Sequence, residues 1–446
     1  MMKYDLKGYL VKLDDDQITA NIHLEQKDCG CIYANCLITD NGPLNPDIKI
    51  KEIKGSLDCY EIKVNPIMVR EINLNSSGEM KCTIACKDVV FKKNILENTK
   101  VQYRFKITNF KFRGNQPYKV NETSTQAELK ISINGIDIII RPVSGYNKII
   151  KDIEYTHNVA VTADLLIEGN IENKDNTIQI VDNICSLLSL AKGTKINWIS
   201  YTIENNNGEV LEKYYSNRVT KSYSTLGLIS YENPNDLKKY LESTYINYID
   251  KLNDWKFNII IEEFIDAVKE GDYLELRGLK LATTMEFILG KYKSLNDCEF
   301  YIPEDEFEKN DIDLKIKKAL KYELSDILTI KQIDSLSKGT KGLNRRIFRE
   351  SLFKLYKNLK ITLSKEEKEK IKSFIELRNN LVHRSDFQPF KEPNSWINYR
   401  FMLAFVSKII LGRLGYVGNY IDWSSNDILD EKSMLKKIEY QFKQEK

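Results

Sequence analysis

Two hydrophobic rhythms divide the chain. As far as about residue 170, apolar and polar positions alternate with period two. Ile18, Ala20, Ile22 and Leu24 fall on one side of an extended segment, and Thr19, Asn21 and His23 on the other. In Ile131-Ser132-Ile133-Asn134-Gly135-Ile136-Asp137-Ile138, Asn-Gly supplies the positive φ angles of a two-residue hairpin turn. Many short strands separated by polar turns predict an antiparallel sandwich or barrel. A helical spacing intervenes between Asn173 and Lys192, and Asn205-Asn206-Asn207-Gly208 predicts a second hairpin.

Past Glu232-Asn233-Pro234 the rhythm changes. Pro234 suits the first turn of a helix, and from Leu237 almost to residue 416 apolar residues recur at helical spacing. The sets Leu276, Leu279, Thr283, Phe287 and Leu281, Met285, Ile288 make Tyr273 to Tyr292 apolar on more than one side, as expected of a central bundle helix. Phe348, Leu352, Leu355 and Leu359 form a single stripe on a later helix. The expected architecture is therefore α+β and multidomain. A β-rich region over 1–230, sandwich- or barrel-like, precedes an all-helical region over 231–446.

Composition adds little until it is taken by segment. The 446 residues carry 67 basic and 64 acidic side chains, and 42% apolar residues suffice for packed cores. No stretch reaches the roughly 18 apolar residues of a membrane span, and the start has no signal-peptide core. A cytoplasmic protein without a membrane partner is expected. Cys29, Cys31, Cys36, Cys59, Cys82 and Cys86 crowd the first 86 residues, but without paired C-x2-C knuckles. They are expected to be small strand residues rather than metal ligands, and no metal or other cofactor is expected. The net charge of +3 conceals a polarised helical region: Lys251 to Asp313 sums to −8 and Lys338 to Arg400 to +9. A charge run is commonly a solvated face; here it also brings Arg345, Arg346 and Arg349 together at one helix start, a candidate phosphate-binding surface.

Within the basic segment, Ser364-Lys365-Glu366-Glu367 is a capping box that starts a helix. Its buried stripe runs through Ile371, Phe374, Ile375, Leu381 and Val382, and Arg378 falls within it. A guanidinium on a core-facing position needs a partner or a cleft. His383 follows five residues on, with Asn379 four before it on the same face. The other two histidines, His23 and His157, are expected to be structural.

Arg378-Asn379-Asn380-Leu381-Val382-His383 is an R-x4-H on a helix of a C-terminal bundle, and there the chain resembles the HEPN ribonuclease family. The β-rich region ahead of it resembles the ApeA-type branch, associated with bacterial anti-phage defence. A metal-independent ribonuclease must move protons at the 2′- and 5′-oxygens and stabilise a dianionic phosphorane. Histidine suits the first task and arginine the second. The resemblance implies that Arg378, Asn379 and His383 are catalytic. Arg384, Arg345, Arg346 and Arg349 are expected to hold RNA, either tRNA or mRNA. It further implies an HEPN homodimer, because Arg and His lie about 140° apart on one helix, and a phage-derived trigger acting through the N-terminal region. Arg384-Ser385 stands where related toxins carry H-x-Y. Two other readings remain open: an inactive HEPN module that binds RNA or oligomerises, and a β-region that binds carbohydrate or protein on a helical scaffold. Tyr103, Phe105, Phe110 and Phe112 could line such a surface, although core packing is the expectation.

Overall fold

The structure is a computed structural model that describes residues 2–13, 15–27, 31–38, 49–74, 79–93, 99–119, 125–218, 226–360, 365–383, 395–424 and 435–437. The first six strands are β1 (Lys3–Lys12), β2 (Gln17–Gln26), β3 (Ile32–Ile38), β4 (Ile50–Leu57), β5 (Tyr60–Leu74) and β6 (Met80–Lys92). They pair in the order β3-β2-β1-β4-β5-β6, and a further β3–β6 pairing closes them into an antiparallel barrel. The alternation expected of residues 18–24 puts Ile18, Ala20, Ile22 and Leu24 in the barrel core. Cys36 and Cys82 are register partners across β3 and β6, and both are buried there with Cys86. Gly8 and Gly55 face each other across β1 and β4. A Cβ on Gly8 would lie 2.2 Å from the Lys54 carbonyl oxygen, so only glycine permits this approach.

One strand belongs to two structures. The first half of β6, Met80 to Cys86, pairs with β3 to close the barrel. Its last residues, Asp88 to Lys92, pair with a strand of a second sheet. That sheet comprises β7 (Lys100–Thr108), β8 (Gln116–Lys119), β9 (Thr125–Ile133), β10 (Ile136–Pro142), β11 (Val161–Asn170), β12 (Trp198–Asn205) and β13 (Val210–Ser216). Its order away from β6 is β13-β12-β7-β11-β10-β9-β8. Both expected hairpins are present. Asn134 and Gly135 join β9 to β10 with φ of 52° and 77°. Between β12 and β13, the Asn205 side-chain oxygen accepts from the main-chain N–H groups of Asn207 and Glu209.

The period-two reading of the first 170 residues missed a helix. α1 (Tyr146–Thr156) interrupts the strands, burying Ile150 and Ile153 and ending at His157 in the left-handed conformation. His157 is thus a helix cap. His23 does lie on a β2 face away from the core, 2.6 Å from Asp5. α2 (Lys174–Lys192) falls where helical spacing predicted it. It lies against the central sheet, with Trp198 Nε1 donating to Asp182 at 2.7 Å.

Among the described residues nine further helices follow: α3 (Pro234–Lys251), α4 (Phe257–Val268), α5 (Leu274–Leu295), α6 (Glu304–Lys309), α7 (Ile312–Leu324), α8 (Ile330–Lys338), α9 (Phe348–Asn358), α10 (Lys365–His383) and α11 (Ser395–Arg413). Asn233 caps α3 through the Asn235 N–H, with Pro234 in the first turn. α5 is central, packing against α4, α9, α10 and α11. Of its two apolar sets, Leu281, Met285 and Ile288 are buried, whereas Leu276 and Thr283 are exposed. The molecule is thus α+β, a β-barrel and sheet followed by a helical region. Residues on both sides of position 230 share one apolar core, which includes Tyr103, Phe105, Leu187, Tyr240, Phe264 and Met285. Phe110 and Phe112, just past the end of β7 and stacked at 4.6 Å, are buried in it too, so all four aromatics pack inward as expected. Among the described residues, no helix is long and apolar enough to cross a membrane.

Candidate functional site

α10 presents one apolar face to the bundle. Ile371, Phe374, Leu377 and Leu381 are buried on it, and Phe374 stacks on Phe405 of α11 with centroids 4.2 Å apart. Arg378 lies on the same face and is only 6% exposed, as its place in the apolar stripe predicted. Three groups receive it. Glu286 of α5 pairs with Nη2, the Asn379 side-chain oxygen accepts from Nη1 at 2.6 Å, and the Phe348 ring of α9 lies under the guanidinium at 4.5 Å. Burial pushes the Arg378 pKa down from its ordinary value. An arginine nonetheless keeps its charge in a protein, so the Glu286 carboxylate faces a fixed cation.

A second buried arginine shows what is particular about the first. Arg277, also on α5, donates to neutral oxygens: the carbonyls of Ala267 and Val268 and the Tyr399 hydroxyl, the last at 2.9 Å. Those bonds fasten α5 to the end of α4 and to α11. Arg378 is paired with a carboxylate instead, the kind of oxygen that a phosphate can replace. Glu286 was not visible as a site residue in the sequence, since it stands 92 positions away on another helix. Its only signal was an isolated acid within the apolar run from Leu281 to Leu289.

The remaining candidates occupy separate places. Asn379 is half-buried beside Arg378, and His383 is the last residue of α10, its side chain outside the described residues. Arg384 lies outside them as well, as does the expected capping box at Ser364. Arg345, Arg346 and Arg349 flank the start of α9. Arg345 is exposed, 3.5 Å from Glu299, and the half-buried Arg346 lies over the Tyr301 ring at 4.9 Å. Arg349 is exposed above Phe353, on the same helix. Phe348 links this cluster to Arg378, because the helix start that carries the three arginines also supplies the ring under the guanidinium. Lys357, Lys360 and Lys372 add exposed positive charge nearby in sequence.

Comparison with known proteins bears on another part of the chain. Residues 97–225 match the family model of the YopA central domain. The matched segment begins just before β7 and takes in the whole central sheet from β7 to β13 together with α1 and α2. It is less than half of the chain and stops short of the helices that carry Arg378. No curated protein and no solved structure matches the chain.

Proposed function

We propose that the protein is a metal-independent endoribonuclease of the HEPN type, acting as an abortive-infection effector against phage. The observation that carries this reading is the R-x4-H motif on a bundle helix, with its arginine buried and paired to a carboxylate. In this reading His383 is the general acid or base, exchanging a proton with the ribose 2′-hydroxyl or the leaving 5′-oxygen. Arg378 clamps the scissile phosphate through its planar fork, and Asn379 holds that fork in orientation. The products are a 2′,3′-cyclic phosphate and a 5′-hydroxyl. Because both Nη atoms of Arg378 have partners, substrate phosphate must displace Glu286 to take its place on the fork. Arg345, Arg346, Arg349 and Arg384 extend the basic track for tRNA or mRNA. A second copy of the bundle brings its own motif to the shared cleft. The β-rich region receives the phage-derived signal, and the protein works in the cytoplasm.

One observation favours a rival reading in which the bundle binds RNA or oligomerises without cutting. The Arg378–Glu286 pair, capped by Phe348, also serves as a fastening between α10 and α5. Sequencing of RNA ends in cells that express wild type, Arg378→Ala or His383→Ala separates the two. New 5′-hydroxyl ends that vanish in both variants, with the fold retained, support the nuclease. Their absence from wild type, in phage-infected as well as uninfected cells, overturns it.

A further inference from the structure

A wide cavity lies in the β-rich region, far from Arg378 in sequence. It is a cleft of about 1320 Å³ over the polar face of the central sheet. Tyr103, Phe105 and Ile107 of β7 turn to the core, so the alternate residues Arg104 and Lys106 form its floor. Across the register, Ser200 lies beside Lys106, and Thr202 beside Arg104. One wall is α1, contributing Ile149, Ile153 and Thr156, and another is the barrel end at Met2, Gln26 and Lys27. The barrel is held there by a bond from Gln26 Nε2 to the Ser216 carbonyl at 3.3 Å.

Charge on the floor decides the class of ligand. Arg104 Nε and Nη2 reach the two Glu204 oxygens at 3.3 and 3.4 Å, and Nη1 lies 3.6 Å from Asp164. Lys106 is 2.7 Å from Asp164. Two cations and two carboxylates therefore compensate one another. On the walls Lys27 and Asp152 are of opposite sign and add no net charge, so an anion on the floor would have to displace a carboxylate, and a cation would have to displace Arg104 or Lys106. The network still holds unused capacity, since an arginine offers five N–H donors and a carboxylate about four acceptor sites. A hydroxyl group both donates and accepts, so it can bridge an arginine N–H and a carboxylate without disturbing either. The half-buried Ile149 and Val161 side chains suit the C–H faces of a ring. Pockets for single drug-sized molecules span roughly 300–1,000 Å³, so this one has room for several rings.

We propose that this cleft binds a neutral, hydroxyl-rich ligand, a short oligosaccharide. The assignment does not depend on the ribonuclease reading. It is tested by calorimetric titration of the full chain with maltotetraose, cellotetraose and N,N′,N″,N‴-tetraacetylchitotetraose, with ATP as the anionic comparator. At least one saccharide should bind and ATP should not. Glu204→Gln should weaken that binding about tenfold or more, the loss of one charge-assisted hydrogen bond. Ile149→Trp, which narrows the cleft from a half-buried wall position, should weaken it without touching the ion network. Melting curves identify a variant that has failed to fold, and the other variant then decides. Failure of all three saccharides at millimolar concentration overturns the proposal. So does ATP binding that Glu204→Gln strengthens, or saccharide binding that neither folded variant changes.

Discussion

The barrel and the sheet beside it are built from the same antiparallel strands, yet their cores differ in kind. The barrel core is mainly aliphatic, with Leu10, Ile22, Ile53 and Val64 around Cys36, Cys82 and Cys86, and it closes on itself. Among the described residues the central sheet has no closure of its own. Its inner face carries Tyr103, Phe105, Trp198 and Tyr201, and these rings are covered by α2 and, beyond it, by the bundle. A closed barrel satisfies its edges and its interior together, whereas an open sheet stays unstable until something covers its apolar face. The barrel should therefore unfold as a unit, and the central sheet only together with the helices.

Phe105→Ala offers the hardest test of that contrast. It removes a fully buried ring packed against Trp198 and Tyr201 and should cost about 3–5 kcal/mol. Helical circular dichroism should be lost in the same transition as the sheet signal. Helices that survive the loss of the sheet would break the comparison. Leu10→Ala, in the barrel core, should cost about 2–4 kcal/mol and leave the helical transition in place. Two thiols report on the two cores separately. Burial pushes both Cys86 in the barrel and Cys185 in the shared core up to about 12, so neither reacts as a thiolate until exposed. In a denaturant series read by mass spectrometry, Leu10→Ala should bring forward alkylation of Cys86 and not of Cys185.

Smaller effects sharpen the picture within the shared region. Glu286→Gln leaves Arg378 without its carboxylate and should cost about 1–2 kcal/mol by chemical denaturation, a value reduced by solvent screening at a side chain more than a third exposed. The order in which Cys86 and Cys185 become reactive should not change. Least of all is a pH effect at the α4–α5 turn. A hydrogen bond from Lys280 holds the Asp272 carboxyl below its ordinary value. The depressed folded value means that the stabilisation is present above about pH 4, the unfolded value, and fades as pH falls through the folded one. Lys280→Ala should remove this dependence, by under about 1 kcal/mol, in denaturation curves taken through the acid range.

Local signals were the legible part of the sequence. Asn134-Gly135 and Asn205 to Gly208 named their turns because positive φ and side-chain-to-backbone bonds are decided within four residues. Asn233-Pro234 named a helix start for the same reason. α1 was missed because its eleven residues bury only Ile150 and Ile153, too few to establish a helical period. Barrel closure was beyond reach: the β3–β6 pairing depends on which strands meet, not on how either one alternates. At the candidate site, the burial of Arg378 could be read from its place in the α10 stripe. Its partner could not, because one acid on α5 becomes meaningful only when two helices are packed together. The polar floor of the cleft was hidden similarly, since Arg104, Asp164 and Glu204 arrive from three strands.

β6 has a practical consequence for anyone who divides the protein. The segment matched at residues 97–225 looks like a natural fragment to express, but it excludes the strand on which β13 hydrogen-bonds. Cutting there would strip the ladder from Glu212 to Ser216 and leave an open sheet edge, the usual template for strand addition and aggregation. A fragment that begins before Met80 carries its own cover for that edge, although it divides the barrel. The strand that closes one structure also seals the other, so the two were not assembled as interchangeable parts.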